Sequence, residues 1–450
     1  MSDSNSWLER FGLHRPELRA WALYDWANSA FVLVVITAVF PIYVKNVAAG
    51  VGVDNATITK WLSYTTAASL AIVSLCSPVL GAVADFLGRR KHFLALFVGL
   101  GSASSAGLFF IHSGRWIPGL VLFAIGNAAL FLSFVFYDSL LPHLASEKEI
   151  DRVSTAGYAV GYLGSGLLLV VILAAIQKPE LFGLADAGVA TRVGFLVVGL
   201  WWAIFSLPLF KRVEEPPREV EVDEAGVDAA GASDAVRAAF GRLRETVGEL
   251  RGNYKHAFLM LVAYMIYNEG VGTTIRMGGL YAATKGFPET SIILAILIIQ
   301  FVGIPFAFLF GALGPKLGTK RAILLGLAVY IGISVVAYNM KVIGHFYVVA
   351  GLIAMVQGGT QGLSRSLFAS MVPKHKASEM FGFFSIFAKV AGIFGPLLFG
   401  LVIEFTGSER EAILSVIVFF VVGGFLLSRV DVEEGQRQAR LADRGLVETP

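Results

Sequence analysis

The chain has 450 residues, of which 56% are hydrophobic and 15% charged, with a mean hydropathy of +0.70. Soluble domains carry about 25% charge and ~45–50% apolar residues, so this excess needs an apolar solvent and excludes a soluble enzyme, a disordered chain and a secreted disulfide scaffold. The apolar runs are continuous rather than alternating, which also excludes a β-barrel and leaves an all-α multi-pass membrane protein.

Residues 1–19 are polar and lack the apolar core and cleavage site of a signal peptide, so the first apolar run is expected to anchor the chain itself. Apolar runs follow at 20–44, 61–85, 92–112, 117–141, 154–177 and 193–210, and again at 256–283, 290–314, 321–340, 345–371, 380–404 and 411–428. They predict twelve transmembrane helices, spans 1 to 12, in two groups of six. The expected organisation is a first bundle at 1–210, a linker at 211–255, a second bundle at 256–430 and a tail at 431–450.

The linker opens with an acidic, proline-containing stretch from Glu214 to Asp228. It then places Val236, Phe240, Leu243, Val247 and Leu250 at helical spacing among arginines, predicting an amphipathic helix over 233–251 that lies on the inner membrane surface or binds a partner. Twelve spans put both termini on one side. That side holds 25 of the 36 lysines and arginines and the other side 8, so the termini are expected to be cytoplasmic, in a plasma (inner) membrane.

The two halves repeat. Gly81-Ala-Val-Ala-Asp85-Phe-Leu-Gly88-Arg89-Arg90-Lys91 follows span 2, and Gly311-Ala-Leu-Gly-Pro315-Lys316-Leu-Gly318-Thr-Lys320-Arg321 follows span 8. Two similar bundles that can tilt about a site between them are the architecture of an alternating-access carrier. Gly81 can let span 2 pack closely against a neighbouring span, and Asp85 can face the positive N-terminal end of a neighbouring helix. Pro315 replaces that aspartate in the second half, so a latch built from Gly81, Asp85, Gly88, Arg89 and Arg90 is expected to be one-sided.

The loop pattern G-x-x-x-D-x-x-G-R-R/K resembles the hallmark of the major facilitator superfamily. Within it, Trp21-Ala-Leu-Tyr24-Asp25-Trp26-Ala-Asn28-Ser29-Ala30-Phe31 resembles the first-span signature of the autophagy-related vacuolar effluxer-like (unknown major facilitator) family. Tyr264-Met-Ile-Tyr267-Asn268-Glu269-Gly270 and the stretch from Phe381 through Lys389 to Gly395-Pro396 add to the likeness. The resemblance implies a major facilitator fold of two pseudo-symmetric six-helix bundles, with spans 1, 4, 7 and 10 lining a central cavity, and efflux of amino acids.

An ionisable group within a span is costly and is usually functional or paired. Asp25, Asp138, Glu269, Arg276, Arg365 and Lys389 stand out, with Asn28, Tyr267, Gln357 and Gln361 on adjoining polar positions. Depth along span 7 makes Glu269 the first candidate for carrying a coupling proton, and Asp25 the second. Three acids against three bases leave the interior formally neutral, which suits a zwitterion such as an amino acid as substrate and also admits neutral sugars or nucleosides. A carrier of drug- or lipid-like molecules and a sensor that has lost flux are the remaining alternatives. The lone Cys76, seven scattered histidines and no phosphate-binding loop predict no metal or other cofactor, no nucleic-acid partner and no enzyme activity. The expected partners are a small-molecule substrate, the lipid bilayer and protons.

Overall fold

The structure is a computed structural model and describes residues 8–112, 114–217, 219–220, 248–284, 286–444 and 447–448. Side chains at 219–220, 276–277, 279–284, 289, 390–393, 396, 409 and 447–448 lie outside that description. Most of the expected linker helix also falls outside the described residues; 248–251 are helical.

Among the described residues, eleven helices are long and apolar enough to cross a membrane. A further 30-residue helix, Ala377–Thr406, stands eleventh in chain order. Span 1 comprises Pro16–Ala30, Phe31–Ala38 and Phe40–Ala49. Spans 2 to 6 are Asn55–Leu87, Arg90–Gly107, Trp116–Ser139, Ile150–Gln177 and Ala187–Arg212. Spans 7 to 10 are Lys255–Thr284, Glu289–Leu317, Thr319–Tyr338 and Ile343–Ala369. Span 11 is Ala377–Thr406, span 12 combines Glu409–Ser415 with Ile417–Ser428, and a tail helix, Val432–Arg444, follows.

Helices are forced on these runs because lipid offers no partner for backbone N–H and C=O groups. Asp54 and Asp186 mark two helix starts by accepting from the N–H groups of Thr57 and Val189, each at 2.8 Å. Leu75, Leu167, Ile204 and Val421 remain exposed on the outer wall, the surface lipid covers. Span 1 departs from a simple helix. Its ladder widens to a π-helix over Phe31–Ala38, just before Pro41. Proline has no N–H to give and its ring crowds the carbonyl four residues back, so the preceding turn must rearrange. Val32, Leu33 and Thr37 of that stretch line the central cavity, where π-helical turns commonly occur.

The two bundles meet mainly through spans 2 and 11 and through spans 5 and 8. Small residues set the approach: a Cβ on Gly81 would lie 2.3 Å from the Ser378 carbonyl oxygen. Gly81→Val is therefore expected to keep spans 2 and 11 apart. In a Cys76→Ser background, a cysteine placed at the fully buried Ser378 should then react faster with a maleimide; unchanged reactivity would contradict the close approach.

Candidate transport pathway

A cavity of about 540 Å³ lies between the bundles and takes its lining from both. Asp25 and Asn28 of span 1, Phe131 and Asp138 of span 4, and Tyr162 of span 5 form one wall. Asn268 of span 7, Gln300 of span 8, Gln357, Gln361 and Arg365 of span 10, and Lys389 of span 11 form the other. Exposed Thr37 and Ile275 stand at one end and buried Arg365 at the other.

Arg365 closes that end. Its guanidinium donates to Asp138 Oδ1 at 3.1 Å, Asp25 Oδ2 at 3.3 Å, Ser154 Oγ at 2.9 Å and the Ser154 carbonyl at 2.8 Å. Its carbon lies 4.7 Å from the ring centroids of both Trp21 and Tyr158, so aromatic faces and fixed acceptors enclose it. Tyr137 donates to Asp25 Oδ2 at 2.9 Å and stacks on Trp21, whose Nε1–H donates to the Tyr137 carbonyl. Gly157 makes room, since a Cβ there would meet Asp25 Oδ2 at 2.3 Å. Every acceptor in this knot belongs to the first bundle and the cation to the second. Asp25 is thus paired across the bundles rather than held by the N-terminus of its own helix.

Beyond the knot lies the face that carries both termini, and it is closed. Asp85 Oδ1 accepts from Arg90 Nε at 2.6 Å, and its Oδ2 accepts from the backbone N–H of Glu379 at 2.9 Å, in the first turn of span 11. Arg90 reaches the Lys374 and His375 carbonyls and lies 2.7 Å from His143 Nε2. Gly88 ends span 2 at φ +60°, turning the chain into Arg90. Arg89 is exposed and its side chain makes no hydrogen bond or ion pair among the described residues, so its guanidinium stands outside the latch and adds surface charge.

The missing aspartate at Pro315 is made good from the opposite bundle. Asp151, at the start of span 5, accepts from Ser366 Oγ at 2.5 Å and Thr319 Oγ1 at 2.7 Å. The terminal face is therefore held at both bundle interfaces rather than one. The tail helix adds a third tie, with Arg440 Nη1 at 2.7 and 2.8 Å from the two carboxylate oxygens of Glu147.

Other expected site residues are distributed differently. Gln361 accepts from Tyr264 Oη and donates to Asn268 Oδ1, bracing the cavity wall. Asn28 donates to the Tyr24 carbonyl. Gln357 lines the cavity, and its buried Oε1 has no hydrogen-bond partner among the described residues; the same holds for the Tyr162 hydroxyl. Tyr267 turns away and shares a 2.6 Å hydrogen bond with Ser364. Glu269 is buried beside span 11, accepting from the Gly395 N–H at 2.7 Å and Thr273 Oγ1 at 3.2 Å, and does not line the cavity. Arg276 lies in span 7, and its side chain is outside the description. Lys389 lines the cavity with Nζ 3.3 Å from the Phe131 ring centroid.

A family model described as vacuole effluxer Atg22 like matches residues 14–440. The chain belongs to the Atg22-like family. Its relative in Bacillus subtilis strain 168, an uncharacterized MFS-type transporter YxiO, is 37% identical over 415 residues, 92% of this chain and 94% of that one. Autophagy-related protein 22 of Pyricularia oryzae is 24% identical over 93% of this chain and 77% of its own length. Among solved structures, the proton:xylose symporter XylE bound to 6-bromo-6-deoxy-D-glucose superposes with TM-score 0.70 at 15% identity, covering 97% of this chain and 99% of that one. This Atg22-like protein thus has the major facilitator fold and is an integral multi-pass membrane transporter.

In this Atg22-like chain the sequence alone does not single out Phe131 on span 4, Gln300 on span 8, or Asp151, Ser154, Gly157 and Tyr158 on span 5. One signal was available: Gly157, Gly161 and Gly164 form a small-residue stripe. Such a stripe marks a span packed closely against another.

Proposed function

We propose that the protein is a proton-coupled carrier of small zwitterionic solutes, amino acids foremost, working by alternating access from a plasma membrane with its termini on the cytoplasmic side. The Arg365 knot carries this reading. For the cavity to open toward the terminal face, the bundles must part there and Arg365 must leave Asp25, Asp138 and Ser154. Two carboxylates would then sit in a low-dielectric site without their cation, at a cost of several kcal/mol per ion. A proton on one of them, or the ammonium of a bound substrate, offsets that cost. Cation arrival and terminal-face opening thereby become one event. The coupling role moves from Glu269, which clamps the Gly395 N–H, to the pair Asp25 and Asp138. The excess of basic residues in the loops on the terminal side supports the orientation, and the vacuole-effluxer description of the matching family supports a carrier role.

The test is flux into proteoliposomes under an imposed pH gradient, using the common L-amino acids as labelled substrates. Gradient-driven accumulation is expected, and Asp138→Asn should abolish the pH dependence while preserving exchange of substrate for substrate. Accumulation that ignores the gradient in wild type would overturn proton coupling. The amide-lined wall of Asn268, Gln300, Gln357 and Gln361 also suits a neutral hydroxylated solute. That reading prevails if labelled sugars accumulate and amino acids do not.

A further inference from the structure

The cavity holds two described cations in unequal surroundings. Arg365 makes four N–H···O contacts and is covered on its faces by aromatic rings. Although it lines the cavity, its N–H donors are committed to fixed acceptors in this arrangement. The Lys389 ammonium rests on the Phe131 ring, with no side-chain hydrogen bond and no carboxylate within ion-pair distance among the described residues; Asp138, in the same lining, acts on it only from longer range. A ring face offsets only part of the cost of keeping an ammonium within a span. An ammonium also has three N–H donors, and a ring face engages one direction only.

We infer that Lys389 is the docking point for the anionic group of the substrate, a carboxylate, with Phe131 holding the ammonium in place until that group arrives. The inference rests on the reading of this cavity as the substrate site. Three features support it. Lys389 comes from span 11 of the second bundle and Phe131 from span 4 of the first, so the ammonium is held at the bundle interface where a bound group would be sensed by both. Gln357 Oε1, an acceptor without a partner, is in the same cavity and suits the N–H of an ammonium. Asp138, also in the lining, is the carboxylate that a substrate ammonium would meet on displacing Arg365. A zwitterion would therefore find its cation and anion sites already separated, the anion site vacant and the cation site guarded by Arg365.

The test uses acetylation of Lys389 by sulfosuccinimidyl acetate, a small anionic reagent, followed by peptide mass spectrometry on the full-length protein in nanodiscs. Three probe mixtures compete: the common L-amino acids, their amides, and short monocarboxylates from acetate to hexanoate. Amino acids at about ten times their Kd should slow acetylation of Lys389 about tenfold, with solvent-facing Lys341 unaffected and the amides without effect. Protection by amides equal to that by acids would overturn the subsite. So would a lack of protection by either acid mixture, or a Lys389 that the reagent never acetylates. Protection by monocarboxylates but not by amino acids would keep the anion subsite and remove the amino-acid reading. As a second readout, Lys389→Met retains the stem over Phe131 and should raise the half-saturating concentration of a transported acid about tenfold, while Lys389→Arg retains most of the affinity. An unchanged value in Lys389→Met would contradict the assignment.

Discussion

Arg365→Gln is expected to unseat the closed terminal face and abolish coupled transport. The substitution leaves Asp25 and Asp138 buried, 6% and 9% exposed, without the cation they share. Removing one partner of a buried ion pair costs about 3–5 kcal/mol, which corresponds to a shift of about two to four orders of magnitude in the equilibrium between arrangements. Thermal unfolding followed by tryptophan fluorescence should show the loss directly, since Trp21 stacks over the guanidinium. Adding Asp25→Asn and Asp138→Asn to Arg365→Gln removes the orphaned charges. Neutral replacements for a buried ionic cluster are often tolerated, so the triple variant should recover stability without recovering coupling. Failure of that rescue would show that Arg365 matters by shape rather than charge.

The second large effect is expected at the latch. Asp85 joins Arg90 to the first turn of span 11, and hydrogen bonds to a charged group contribute about 1.5–3 kcal/mol. Asp85→Asn should therefore shift the closed terminal face toward opening by about one to two orders of magnitude. Asp151→Asn should act in the same direction, because its carboxylate ties span 5 to Thr319 and Ser366 at the other interface. Limited proteolysis at loop 141–149, next to Arg90 and the tail helix, reads both. If Asp151→Asn were silent while Asp85→Asn opened the face, the latch would be one-sided, as the loop motif alone implies.

Much of this architecture was legible in the sequence because lipid constrains it so strongly. Continuous apolar runs can only be helices there, the glycine repeat after spans 2 and 8 marks the duplication, and each ionisable group inside a span announces itself. Pairing was not legible. Arg365 and Asp25 are 340 positions apart, and no periodicity relates them. Nor was rotation about the helix axis. Depth placed Glu269 near the middle of span 7, but successive residues of a helix turn by about 100°. That turn gives Asn268 to the cavity and sends Tyr267 to Ser364 and Glu269 to Gly395. Asp151 was hidden for a related reason: it stands in the opposite bundle from the position where the repeat lacks an aspartate.

Arg365, held between Asp25 and Asp138, is expected to keep the terminal face closed. Spin labels at exposed Lys148 and Lys374 report on that face, and labels at exposed Val51 and Thr290 on the opposite one. With Cys76 replaced by serine, double electron–electron resonance should give one short distance for the first pair in wild type. Arg365→Gln should add a longer component there and shorten the second pair. Distance distributions unchanged by Arg365→Gln would contradict the claim.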